Sequence, residues 1–133
     1  MPGVLTHVSV AIVGALIVYF IFRKKVPALA FVVGQIIPDA IKFGIPGLKL
    51  ETVSYYKILQ DPLFYKLNLV THTIWTWLIL FFVILIVLFV LKKTGKLDKE
   101  KFKYWFIVNS SFLLAIVVHL ILDVFIIEKS YWV

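Results

Sequence analysis

From Ile74 to Leu91 the chain runs eighteen residues without a charged side chain, and Thr76 is the only polar group there apart from the indoles of Trp75 and Trp77. A hydrocarbon core about 30 Å thick takes about 20 apolar residues in helical form. Only a helix or a closed barrel satisfies every backbone group where water is absent. The run therefore reads as a membrane-spanning helix, with its Trp residues as interfacial belt anchors. Composition extends this to the whole 133-residue chain: 62% of residues are hydrophobic and 16% charged, with a mean hydropathy of +1.03. A soluble domain carries about 25% charged residues, so a water-soluble globule is excluded. About four such helices use nearly the full length, and the expected organisation is one integral-membrane helical domain over residues 1–133.

The remaining elements follow from the same reasoning. Val4 to Phe22 reads as the first helix, with Pro2 near its start, where a missing N–H costs little, and Tyr104 to about Ile127 reads as the last. The basic triplet Arg23, Lys24 and Lys25 follows the first apolar stretch, the reverse of a cleaved signal peptide, so this helix is expected to be permanent. Pro27 to Ile37 would rise only about 17 Å. Either it continues through Ala40 and Ile41 with Asp39 inside the bundle, or it is short or broken at Pro38, which removes the donor for the Gly34 carbonyl. Tyr55, Tyr56 and Lys57 suit an interfacial helix near residues 51–60. Asp61-Pro62 reads as an N-cap and first-turn proline opening a helix that runs on into the third span. The expected fold is an all-α bundle of four transmembrane helices, the second short or broken at Pro38, plus the interfacial helix.

Charge then orients the bundle. Fourteen Lys and Arg stand against seven Asp and Glu, a net +7. Nine of the fourteen fall in two stretches beside apolar runs, Arg23 to Lys25 and Lys92, Lys93, Lys96, Lys99, Lys101 and Lys103. Such runs mark the cytoplasmic ends of spans, which accounts for the basic excess without a nucleic-acid partner. Both termini are then expected outside the cytoplasm in a plasma (inner) membrane, with Lys42, Lys49, Lys57, Lys66 and Lys129 on the outer side. The chain has no Cys, so disulfides and thiolate metal sites are excluded and any metal must use nitrogen and oxygen ligands.

Ionisable groups inside spans are costly and mark functional sites. Here they are His7, Asp39, His72, His119 and Asp123, which include every His in the protein. Each lies 14 to 20 residues along its helix from the nearest basic cluster, roughly 21–30 Å at 1.5 Å per residue. They are expected in one layer near the outer face. Three imidazoles and two carboxylates suit a borderline divalent cation. His119 and Asp123, four apart, share a helix face. Ala11, Gly14 and Ala115 lie below the layer, where small side chains let helices approach. Asn68, His72 and Thr76 form an i, i+4, i+8 line, so Asn68 and Thr76 are expected to fix the imidazole of His72.

In order, Thr6-His7, Gly34 leading to Pro38-Asp39, Thr71-His72-Thr73 opening an apolar helix, and His119-Leu-Ile-Leu-Asp123 resemble the LexA-binding, inner-membrane-associated hydrolases, a family of small integral-membrane metal-dependent hydrolases. That family is distantly similar to zinc-dependent phospholipase C. The resemblance covers roughly residues 1–123 and departs from the family pattern at Ile41, Leu67, Asn68 and Thr73. It implies a metal-activated water acting on a phosphoester or other lipid headgroup bond. His7, Asp39, His72, His119 and Asp123 would be ligands to one or two divalent ions, Zn²⁺ foremost, and Asp39 or Asp123 would serve as base. Lys42, Lys49 or Lys66 on the outer side could neutralise a substrate phosphate. Membrane lipid and a lipid or lipid-linked substrate are the expected partners, with room for a homo-oligomer. The alternative is a cation or proton transporter or channel using the same residues. A haem held between two His is a third reading, without any attachment motif to support it.

Overall fold

The computed structural model describes residues 2–124, with side chains from Leu5 onward. Among these residues there is no strand. The helices are α1 (Pro2–Phe22), α2 (Lys25–Lys49), α3 (Tyr55–Leu59), α4 (Pro62–Thr71), α5 (Ile74–Lys93) and α6 (Lys99–Leu122). Among the described residues, α1, α2, α5 and α6 are long and apolar enough to cross a membrane. The protein is an all-α bundle of four such helices. The expected continuation of the last span to Ile127, and Lys129, lie outside the described residues.

Two short connections hold the basic stretches at one end. Arg23 adopts φ 53° and donates its backbone N–H to the Tyr19 carbonyl at 2.7 Å, a left-handed residue that closes α1. Lys24 is extended, and α2 begins at the next residue. At the other hairpin Gly95, at φ 73°, ends α5, and the Asp98 carboxylate caps α6 by accepting from Lys101 N–H at 2.7 Å. Lys24 Nζ stands 4.7 Å from the centroid of the Tyr104 ring, so the two basic stretches meet.

Helix α2 is unbroken, which corrects the expectation of a second span short or broken at Pro38. Its 25 residues reach about 37 Å. Pro38 costs one hydrogen bond, but the helix is held on both sides by packing. Phe31, Gly34, Gln35, Pro38, Lys42 and Pro46 are buried at spacings of three and four, so the inward stripe carries the polar residues that made the stretch look too short. Helix α2 packs most extensively on α6, then on α1 and α4. Gly34 makes the α2–α6 approach possible: a Cβ there would lie 2.6 Å from the Phe112 carbonyl oxygen and 2.8 Å from Ala115 Cβ. Gln35 Nε2 donates to the Ala115 carbonyl at 2.8 Å, and Asn109 Nδ2 to the Phe81 carbonyl at 3.2 Å, tying α2 to α6 and α6 to α5.

Within residues 51–60, where an interfacial helix is expected, the structure has the five-residue α3. Asp61 caps α4 as expected, accepting from Leu63 N–H at 2.7 Å with Pro62 following. Lys49 Nζ lies 2.9 Å from Asp61 Oδ2, which ties the end of α2 to the start of α4. The Lys49 ammonium, and after it the Leu63 N–H, hold the Asp61 carboxyl below the usual carboxylate range. A depressed folded pKa contributes stability above the unfolded value of about 3.9 and loses it as pH falls below that. Asp61→Ala is therefore expected to lower the thermal unfolding midpoint at pH 7, with the difference from the parent shrinking below about pH 4. Equal differences at both pH values would count against this tie.

Helix α4 does not run on into the third span, contrary to expectation. It ends at Thr71, His72 is its C-cap, and extended Thr73 starts α5. The hydroxyls of Thr71 and Thr73 donate to the Leu67 and Leu69 carbonyls four residues back, competing with the continuing helix. The Thr71 carbonyl, left without a helical donor, accepts from Trp77 Nε1 at 2.7 Å.

Candidate metal centre

At the end of the bundle away from the basic stretches, four side chains from three directions converge. Asp39 comes from α2, His72 from the α4–α5 break, His119 from α6 and Asp123 from just past its end. One ligand atom from each lies within 4.8 Å of all the others. His72 Nε2 is 3.6 Å from Asp39 Oδ1 and 3.0 Å from Asp123 Oδ2. His119 Nε2 is 3.7 and 3.3 Å from the same two oxygens. A tetrahedral ion with bonds of about 2.0–2.1 Å has ligand atoms about 3.3–3.4 Å apart, inside that spread.

The polar satisfaction of these atoms points the same way. Asp123 Oδ2 and His119 Nε2 are buried without a hydrogen-bond partner, whereas Asp39 Oδ1 and His72 Nε2 each have the Lys42 ammonium at 2.9 Å. Carboxylate oxygens and imidazole lone pairs are acceptors and repel when gathered this closely, a cost that the Lys42 ammonium offsets beside Asp39 and His72 and that a metal ion among them would remove at Asp123 and His119 as well. His72 is oriented for the same role. Thr71 Oγ1 spends its proton on the Leu67 carbonyl, so at 2.9 Å it accepts from His72 Nδ1–H. That tautomer leaves the Nε2 lone pair facing the cluster, the arrangement found where a hydroxyl or carbonyl fixes a metal-binding imidazole.

His7, expected among the ligands, sits beside the group. Its Nε2 is 2.9 Å from Asp123 Oδ1, and its ring stacks on His119 at 4.2 Å. It thereby holds Asp123 with Oδ2 turned to the cluster. The expected partners of His72 are also corrected. Asn68 Oδ1 is buried without a partner, and Thr76 lies beyond the break, so the i, i+4, i+8 line does not form. Thr71 takes that role.

Lys42 is not on an outer loop. It is buried in α2, with Nζ 2.9 Å from both Asp39 Oδ1 and His72 Nε2. Lys49 is engaged with Asp61, and Lys66 is exposed on α4. Lys42 is one positive charge against two carboxylates, which leaves the cluster net negative before any metal enters. Access is uneven. The Asp39 side chain is 29% exposed, whereas those of His72, His119 and Asp123 are at most 3%.

Comparison with family models, with curated proteins and with solved structures finds no match to this chain. The site is thus read from its own geometry: a buried His/Asp group that can hold a metal ion.

Trp77 is the residue that hydropathy reading misses. It is buried, not an interfacial anchor, and packs with Ile116 and Leu120 while closing the break beside His72. Trp77→Phe keeps most of the ring and loses the indole N–H. Zinc affinity is expected to fall, by less than the roughly 10- to 100-fold that follows loss of a ligand's direct partner, because the indole holds the Thr71 carbonyl and acts on His72 only through the shape of the break; competitive chelator titration reads the change. Unchanged affinity would mean that the break holds its shape without the indole.

Proposed function

We propose that this protein is a metal-dependent hydrolase of the plasma (inner) membrane that cleaves a phosphoester or related headgroup bond of a lipid. The observation that carries the reading is the two-nitrogen, two-oxygen donor set, in which Asp123 Oδ2 and His119 Nε2 are buried without hydrogen-bond partners. The resemblance of its motif order to that of the LexA-binding, inner-membrane-associated hydrolases is in keeping with it. Such donors suit Zn²⁺ or a similar ion. When bound, that ion lowers the pKa of a water toward about 7 and polarises a phosphoryl oxygen. In the reaction the water oxygen bonds to phosphorus and the P–O bond to the lipid alcohol breaks. The proton lost by the water passes to the second oxygen of Asp39, the more exposed carboxylate, and returns to the departing alkoxide. Asp123 stays a ligand because His7 holds its other oxygen. With a divalent ion and Lys42 against two carboxylates, the site becomes net positive, which favours an anionic phosphoryl group. The positive-inside rule would put both termini and the site on the extracytoplasmic side.

A cation or proton transporter is the second reading, favoured by the buried cluster of Lys42 with His and Asp groups. Deeper in the bundle, however, Gln35 and Asn109 donate to carbonyls of neighbouring helices and do not form a chain of titratable groups. Metal analysis of detergent-purified protein, followed by phosphoester-lipid turnover and liposome ion flux on the same sample, separates the readings. About one ion per chain with lipid turnover is expected. Absence of bound metal after zinc loading, or flux without turnover, would sink the hydrolase.

A further inference from the structure

We propose that the crevice between α1 and α2 holds the hydrocarbon chain of the substrate, so that the lipid phosphoester enters sideways from the bilayer with its phosphoryl group against Asp39. The inference deepens the hydrolase reading and rests on it for the bond cleaved. The crevice has a volume of about 410 Å³. Its lining grades from exposed Val8, Ile36 and Val53 through half-buried Asp39 to buried His7 and Gln35. Val8 and Ile36 are 42% and 46% exposed on helices long and apolar enough to cross a membrane. A water-soluble ester would have to pass this apolar wall, whereas a lipid already lies against it. Phe43 and Tyr55, with ring centroids 5.4 Å apart, also line the space. The crevice meets the cluster at Asp39, the one member of the four with appreciable exposure.

The inner end is polar in a specific way. Gln35 is fully buried, and its Nε2 is committed to the Ala115 carbonyl. Its Oε1 is therefore fixed as an acceptor, and it has no hydrogen-bond partner. His7 donates from Nε2 to the Asp123 carboxylate, which leaves Nδ1 as an acceptor, also buried and unpartnered. Both acceptors belong to residues that line the crevice with Asp39, so this end of it carries unpaired polar groups. The crevice thus joins an apolar slot to a polar end at Asp39, and with the proposed metal ion bound beside Asp39 it would offer the parts of a lipid phosphoester substrate site. A larger groove of about 1050 Å³ between α1 and α6 touches none of the five His and Asp residues, and so cannot deliver a substrate to them.

The test uses the full chain in lipid nanodiscs, loaded with zinc, and a sixteen-carbon alkyl phosphate carrying a photoreactive diazirine in mid-chain. Crosslinks mapped by mass spectrometry are expected at Val8, Ile36 or Val53 and their neighbours. Ile36→Trp and Val8→Trp fill the slot from two helices, and each is expected to reduce this labelling at least tenfold with zinc content unchanged. Leu16→Trp, exposed on α1 outside the crevice lining, is expected to leave labelling as in the parent. Labels concentrated in the α1–α6 groove, or crevice labelling indifferent to both blocking variants, would overturn the proposal. Zinc content reports on the hydrolase separately. Zinc-loaded protein labelled elsewhere removes the crevice and keeps the metal reading, whereas zinc-free protein labelled in the crevice does the reverse.

Discussion

Asp123→Ala is expected to lower zinc affinity by well over 100-fold, more than any other single substitution in the cluster. The carboxylate touches all three imidazoles: Oδ1 lies 2.9 Å from His7 Nε2, and Oδ2 lies 3.0 Å from His72 Nε2 and 3.3 Å from His119 Nε2. Its removal deletes one ligand atom and frees the rings that remain. It also leaves only Asp39 to offset the ion and Lys42. His7→Ala provides the contrast. If His7 acts by holding Asp123, its loss falls in the range of about 10- to 100-fold seen for partners that orient ligands. X-ray absorption of the zinc-loaded protein should then count two imidazoles with or without His7. Equal losses for the two variants, or a parent signal of three imidazoles that drops to two in His7→Ala, would make His7 a ligand and displace the four-atom site described here. Turnover of a phosphoester lipid should follow metal occupancy in both variants.

That contrast also marks where sequence reasoning stops. The five ionisable residues and their common depth are readable from helical rise and the basic clusters, because a membrane makes each such residue conspicuous. Which nitrogen or oxygen faces which cannot be read this way, since spacing along a helix says nothing of the rotation of one helix against another. His7 and Lys42 depart from their expected roles for that reason: His7 holds Asp123, and Lys42 lies inside the cluster. Lys42, expected at an outer phosphate position, is turned inward onto Asp39 by the i, i+3 geometry of α2. The continuity of α2 was hidden by the same effect. Hydropathy counts Asp39 and Lys42 as interruptions, although with Gln35 they lie toward the inner side of an intact helix. The break at His72 has neither Gly nor Pro to announce it. Its signals are the flanking Thr hydroxyls and a Trp six residues on from Thr71, and these acquire meaning only when the Thr71 carbonyl is seen to need a donor.

The second large effect is expected at Gly34, which touches no member of the site. The α2–α6 contact there is backbone against backbone: an added Cβ would stand 2.6 Å from the Phe112 carbonyl oxygen and 2.8 Å from Ala115 Cβ. Neither neighbour can swing away as the tip of a long side chain could, so the helices must separate. Overpacking of this kind costs about 1–3 kcal/mol, and a lower thermal midpoint is the first expected result for Gly34→Ala. The second concerns the metal. Asp39 lies five residues beyond Gly34 on α2, and His119 four residues beyond Ala115 on α6, so separating the helices draws the two ligand pairs apart about one turn from the wedge. His119 Nε2 and Asp39 Oδ1 are already 3.7 Å apart, the widest of the four nitrogen–oxygen separations. Zinc affinity should therefore drop even at temperatures where the variant is folded. Gly44→Ala is the control, because a Cβ there meets nothing within 4 Å. Replacing a helical Gly by Ala at such a position stabilises by about 0.5–1 kcal/mol. The pair is read by thermal unfolding in detergent alongside chelator competition. A Gly34→Ala protein that binds zinc like the parent would show that the close helix approach serves packing alone, with no part in setting the distance between Asp39 and the α6 ligands.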